Sequence, residues 1–279
     1  MSNIGIPALP QRKIGILERP DCRLHYEVTG SGPPIVFLHG LGGNHLSWWQ
    51  QVAHFAPSHT CVTLSARGFL PSSPIVGGPD PADFVADLAA LISHLGLQRP
   101  TLVAQSMGGW GAVEYVLSHK GVARAVVLAA TTGTLDPRQI GEPENSRLAA
   151  WQQASERAAV ELTAAGIHVA AGARMAKEQS ALHLLYRCID DINVRLDKIA
   201  LRHRLGVARV RSPSDISQAG CPVLFISGDE DIVIPPFAAE AIVRVSPGAK
   251  VAHIPDAGHS TYFERAACFN EHVTQFLST

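Results

Sequence analysis

Several short runs of uninterrupted apolar, largely β-branched residues end abruptly in turn residues along this chain. IVFL at 35–38, AVVLAA at 125–130 and VLFI at 223–226 are the clearest. A strand with one wet face alternates apolar and polar residues, so a run without alternation is buried on both faces. That is the situation of a parallel sheet covered by helices. Strands are expected at 13–18, 23–28, 34–38, 61–65, 101–105, 125–130, 223–227 and 250–254. Helical patterns alternate with them at 81–95, 108–119, 236–246 and 262–277. In the first of these, Phe84, Leu88, Leu91 and Leu95 fall on one helix face. Asp80 is placed to cap it, Pro81 to open it and Gly96 to stop it. Strand–helix alternation implies an α/β fold with a mostly parallel central sheet flanked by helices. The first two or three strands lack intervening helices and are expected to form an antiparallel edge.

Strand signals vanish from about Leu135 to Asp215, a stretch rich in Ala, Arg, Glu and Gln. About 80 residues is too long for one crossover, which points to an inserted helical cap. The expected organisation is a core in two parts, 1–134 and 216–279, with a cap at 135–215.

The 279 residues suit one large domain carrying an insertion. With 46% apolar and 17% charged residues and a net charge of −1, nothing points to nucleic acid or to an anionic membrane. Cys22, Cys61, Cys188, Cys221 and Cys268 are scattered and form no CxxC pair, as expected of free thiols in a reducing compartment. The N-terminal residues lack a signal-peptide pattern, and no apolar run approaches ~20 residues, so a cytoplasmic protein is expected.

Four segments carry chemistry. In TLVAQSMGGWGAVEYVL a strand runs directly into Ser106 and then a helix, which pushes the serine Oγ out at the carboxyl end of the strand. The Met107 amide lies at the helix N-terminus, where free N–H groups favour an oxyanion. Alone, a serine before a glycine-rich helix start is as readily an N-cap. In PPIVFLHGLGGNHLSWW a buried strand ends in the glycine-rich loop His39-Gly40-Leu41-Gly42-Gly43, whose backbone N–H groups are little obstructed by side chains. A phosphate loop is a poor fit, since no Gly-Lys-Ser/Thr follows. His39 reads as a loop-ordering residue rather than a base. In CPVLFISGDEDIVIPP a strand end is followed by Asp229, Glu230 and Asp231, and in IPDAGHSTYFERAACFN His259 follows the last strand. No HExxH pattern suggests a zinc site.

These segments, in this order, resemble the α/β-hydrolase superfamily from about Leu24 to Leu277. The resemblance implies Ser106 as nucleophile on a G-x-S-x-G-like elbow, His259 as general base and Asp231 as the acid that orients it, with Asp229 as its near rival. It implies an oxyanion hole from the Leu41 and Met107 amides, and neither a cofactor nor a metal. Two positions depart from the family pattern. Ala104 stands where glycine is usual, and Ser65-Ala66-Arg67-Gly68 stands where Asp-x-Arg-Gly is usual.

The implied reaction is hydrolysis of a carboxylic ester or lactone of a small molecule through an acyl-enzyme. C–C bond hydrolysis of a β-diketone or ring-cleavage dienoate is the alternative, and a slow-turnover small-molecule receptor is the reading from another class. Related proteins also act as acyl transferases and as cofactor-free perhydrolases. Epoxide or haloalkane chemistry would need an aspartate at Ser106. Trp48, Trp49, Trp110, Tyr262 and Phe263 flank the motifs and are candidates to line an apolar pocket, although core packing explains each as well. Arg147, His168, Arg174 and Arg187 are candidates to hold a substrate carboxylate. Partners are expected to be a small-molecule substrate, with neither nucleic acid nor membrane; a homodimer is compatible with the sequence.

Overall fold

The structure, a computed structural model, describes residues 10–278. Eight strands, β1 (Arg12–Glu18), β2 (Arg23–Thr29), β3 (Pro34–Leu38), β4 (Thr60–Leu64), β5 (Thr101–Gln105), β6 (Ala125–Ala129), β7 (Val223–Gly228) and β8 (Ala249–Ile254), join one sheet in the order 1-2-4-3-5-6-7-8. β2 is antiparallel to both β1 and β4, and the pairs from β4 through to β8 are parallel. The mostly parallel α/β fold expected from the apolar runs is the fold observed. Strand ends differ from expectation by a residue or two, as boundaries commonly do.

The sheet explains why its central strands do not alternate. In β3, Val36 and Leu38 enter one apolar cluster while Ile35 and Phe37 enter another on the opposite face. The first cluster holds residues of α2 (Asp83–His94), α3 (Gly108–Ser118) and α8 (Pro236–Arg244). The second holds residues of α1 (Trp49–Phe55) and α10 (Ala266–Leu277). Each fully buried Leu, Val or Phe contributes about 1.5–3 kcal/mol relative to exposure. α2 starts two residues later than expected, at Asp83, with the Asp80 carboxylate accepting from the Ala82 amide at 2.9 Å. Gly96, at φ +61, follows it.

The helix expected at 262–277 is broken in two, α9 (Thr261–Glu264) and α10, by Arg265 at φ −129, ψ 48. The break turns Phe263 and Glu264 inward while Phe269 and Val273 stay in the core. A 3.6-residue apolar period continues across such a break, so periodicity alone does not reveal it.

Between β6 and β7 lie α4 (Glu144–Ala164), α5 (Gly172–Glu178), α6 (Ser180–Asp191) and α7 (Lys198–Val207). Leu135 and Arg211 form an isolated parallel bridge where the chain enters and leaves this insert. The Asp136 amide donates to Arg211 O and the Arg211 amide to Thr134 O, both at 2.9 Å. The Arg211 guanidinium and the Thr134 hydroxyl both reach the Glu114 carboxylate on α3. Among the described residues no helix is long and apolar enough to cross a membrane.

Candidate active site

Ser106 sits between β5 and α3 at φ +48, a left-handed conformation that is uncommon for any residue but glycine. Such a residue is disfavoured by about 1–3 kcal/mol and persists only where its surroundings enforce it. Here they do. The Ser106 amide donates to Ala129 O at 3.0 Å, and Ser106 O accepts from the Gly109 amide at 2.9 Å. A Cβ on Gly108 would lie 2.4 Å from Leu38 O, and one on Gly109 2.4 Å from Thr131 Oγ1. The two glycines therefore let α3 close against β3 and the turn after β6. Ala104, the departure from the family pattern, is fully buried in β5, where its methyl packs into the sheet core.

The loop after β3 runs against this turn. A Cβ on Gly40 would meet Gln105 Oε1 at 2.0 Å and Ser106 Cβ at 3.1 Å. The amides of Leu41 and Met107 have no acceptor among the described residues. His39 orders the loop: its Nδ1 donates to Gly40 O at 2.7 Å and its Nε2 accepts from the Ala66 amide at 3.0 Å. Full burial pushes its pKa down to about 4, which keeps the ring neutral and suits an acceptor nitrogen.

Asp231 follows β7 and is buried. Its Oδ1 accepts from the amides of Val233 at 2.7 Å and Ile234 at 2.9 Å. Its Oδ2 lies 2.9 Å from His259 Nδ1. An ionised carboxylate only accepts, so Nδ1 carries the proton and Nε2 is left with its lone pair. Asp229 lies apart: its carboxylate faces His253 Nδ1 at 3.1 Å, with both side chains at the surface. The His259 loop is tied from two sides. Gln105 donates to His259 O at 3.3 Å, and the Gly258 amide donates to Glu264 Oε1 at 2.8 Å. Burial pushes the Glu264 carboxyl up to about 7.

Ser106, His259, Leu41 and Met107 border one cavity of about 350 Å³. The helical insert supplies much of the opposite wall. Trp110 and His168 line the cavity, as the sequence suggested. Trp110 donates its Nε1 proton to Leu205 O at 3.0 Å, linking α3 to α7. Trp48 and Tyr262 do not line it: both are buried, their rings tilted at 38° to each other with centroids 4.4 Å apart. Trp49 is exposed and meets Phe263 edge-on. The three arginines also lie elsewhere. Arg147 stacks over Phe237 at 3.8 Å. Arg174 is engaged by Glu178, Glu230 and Asp256. Arg187 reaches Gly166 O at 3.4 Å. In each case a nearer protein partner takes the guanidinium.

The cations that do face the cavity were not anticipated: Lys198, Arg202 and Arg209. Lys198 is paired with Asp190 at 2.7 Å, and His168 Nε2 lies 3.5 Å from the same residue. Arg209 is different. It stacks over Trp110 at 5.0 Å and reaches Gly133 O at 3.4 Å, but has no ion pair among the described residues. Burial lowers its pKa, the mark of a desolvated cation. No local motif marks Arg209, because only the folding of the insert brings it to the cavity that Ser106 borders.

A family profile described as the alpha/beta hydrolase fold matches residues 33–266. The chain is 30% identical to a putative non-heme bromoperoxidase of Mycobacterium tuberculosis, over 92% of this chain and 98% of that one. Among solved structures it is similar to a thermophilic esterase from Thermogutta terrifontis, at TM-score 0.72 and 23% identity, covering 97% of this chain and 98% of that one. It is similar to a bromoperoxidase from Bacillus anthracis at TM-score 0.73 and 23% identity, covering 96% and 100%.

Proposed function

The chain belongs to the α/β-hydrolase fold family, and from that premise we propose that it is a serine hydrolase cleaving a carboxylic ester or lactone of a small molecule through an acyl-enzyme. The observation that carries this reading is the buried Asp231–His259 pair opening on the same cavity as the strained Ser106 turn. His259 Nε2 takes the hydroxyl proton as Ser106 Oγ attacks the carbonyl carbon. The Leu41 and Met107 amides hold the oxyanion; losing one such donor typically costs ~10²–10³ in rate. Collapse of the tetrahedral intermediate breaks the C–O bond, and His259 returns the proton to the leaving alcohol. Water, deprotonated by the same histidine, then releases the acid.

Arg209 and Arg202 narrow the substrate. The Arg209 guanidinium is desolvated and makes no direct ion pair, with Asp136 acting on it only at longer range, so an anion in the cavity would stabilise it. An ester or lactone whose acyl group ends in a carboxylate supplies that anion at the far wall while its carbonyl sits at Ser106.

The test is covalent labelling and turnover together. A fluorophosphonate should lose fluoride and attach to Ser106, identified by peptide mass. Aryl monoesters of short dicarboxylic acids should be hydrolysed, and Ser106→Ala should lower turnover by roughly 10³-fold or more. Near-normal hydrolysis by that variant sinks the assignment. Cleavage of a ring-cleavage dienoate but of no ester would move the reading to C–C hydrolysis. Ligand-induced stabilisation without turnover would move it to a receptor. The bromoperoxidase names of the relatives favour a second activity at the same site. Hydrogen peroxide attacking the acyl-enzyme in place of water would release a peracid, which then oxidises bromide.

A further inference from the structure

His25, Glu27 and His45 lie outside the cavity and play no part in the proposed reaction. His25 and Glu27 are two residues apart on β2 and so point to the same face of the sheet. His45 follows the loop that carries Leu41. Each offers one donor atom, and all three atoms lie within 4.8 Å of one another. His25 Nε2 is 3.5 Å from Glu27 Oε1, and His45 Nε2 is 3.3 Å from the same oxygen. All three side chains are about nine-tenths buried. His25 Nε2 has no hydrogen-bond partner although it is buried, which is costly for a polar atom.

We propose that His25 Nε2, Glu27 Oε1 and His45 Nε2 form a binding site for a zinc-class divalent cation. Two imidazoles and one carboxylate are a zinc ligand set. Zinc bonds of about 2.0–2.1 Å in tetrahedral geometry place neighbouring ligand atoms about 3.3–3.4 Å apart, close to both distances seen here. The supporting contacts also fit. Metal-bound histidines are oriented through their other nitrogen. His45 Nδ1 lies 2.9 Å from Ser65 Oγ, which also accepts from the His45 amide at 3.2 Å. Ser65 is the residue that departs from the family's Asp-x-Arg-Gly pattern. Its hydroxyl fixes the ring with Nε2 toward Glu27.

Arg12 competes for the carboxylate. Its Nε donates to Glu27 Oε2 at 2.7 Å and its Nη2 to Oε1 at 2.5 Å. The Arg12 side chain is 53% exposed and anchored on the edge strand β1, so it can withdraw to Oε2 or into water as the cation arrives. Bound metal would clip β2 to the loop between β3 and α1 and hold that loop in place from behind.

The test titrates metal-stripped full-length chain with zinc by calorimetry, and with cobalt by visible absorption. One equivalent should bind per chain, cobalt should show the intense bands of four-coordinate geometry, and excess zinc should raise Tm by about 5 °C at a hundredfold excess over Kd. Glu27→Gln and His45→Asn should each weaken binding by at least tenfold and abolish the cobalt bands. Arg12→Ala, at an exposed position, should tighten it severalfold, which a site elsewhere on the surface would not do. Absence of a one-equivalent site, or a site indifferent to both Glu27→Gln and Arg12→Ala, overturns the proposal.

Discussion

At the strand ends, position is enforced by backbone. Ser106 is held by two main-chain hydrogen bonds and by glycines that admit no Cβ, and Asp231 by two amides. In the helices α4–α7, position is enforced by side chains. Met175, Tyr186 and Ile189 reach into the core, Leu201 and Leu205 pack with Trp110 and Met107, and ion pairs fix Lys198 and Arg174. Val160 and Ile199 on these helices, and Val194 between α6 and α7, remain 70–80% exposed. Backbone-held groups tolerate almost no substitution, because close main-chain packing around them leaves no room for it. Side-chain-held walls can be rebuilt residue by residue without moving the reacting atoms. On the proposed function, the chemistry belongs to the first region and the choice of substrate to the second.

The sharpest way to break this contrast is at two neighbouring acids. Asp231→Asn should lower kcat by about 10⁴, as loss of the orienting carboxylate does in Ser-His-Asp enzymes. Asp229→Asn should leave kcat within about twofold, since its carboxylate faces His253. Equal losses would dissolve the distinction between them. Next comes Gly108→Ala, whose Cβ would fall 2.4 Å from a backbone oxygen. A Tm lowered by at least about 5 °C, with activity falling in parallel, is expected for strain of several kcal/mol in a chain of this size. An unchanged Tm would show the turn to be softer than described.

The insert answers differently. Arg209→Ala should lower kcat/KM about 10–100-fold for an ester bearing a carboxylate, and change it little for a neutral ester. Equal effects on both would make Arg209 a packing residue. The last effect is a pH dependence of stability. Glu264 has its carboxyl raised to about 7 in the folded protein, against an ordinary value of 4.5. The folded state therefore binds the proton more tightly, and stability falls as pH rises from about 4.5 through about 7, then levels off. The total is of order 3 kcal/mol at most. Glu264→Gln keeps an oxygen for the Gly258 amide, so its Tm should gain on the wild type across that range and stay parallel above it. Parallel curves throughout would show that Glu264 is already ionised.

The same contrast explains what could be read from the chain. Ser106, Asp231 and His259 lie where strands end, and strand ends are visible as apolar runs meeting turn residues. What separates Asp231 from Asp229 is which carboxylate meets the amides of Val233 and Ile234, a two-residue matter of loop geometry. Trp48 and Tyr262 were ambiguous because an aromatic ring near a motif suits a core as well as a pocket. Arg209 carries no local signal, because its place in the cavity wall depends on where the chain just after α7 lands. Arg147 and Arg174 looked equally suitable but found Phe237 and Glu230 first.

The neck of the insert has a consequence of its own. Where Leu135 and Arg211 pair side by side, outside the sheet, the chain enters and leaves the insert at nearly one point. Closing a loop whose ends already touch depends only weakly on its length. The neck therefore sets little limit on the length of the segment between these two residues; what limits its sequence is the packing of Met175, Tyr186, Leu201 and Leu205 against the core. The Glu114 carboxylate, bonded to both Arg211 and Thr134, ties the two ends of the insert to α3 at that point.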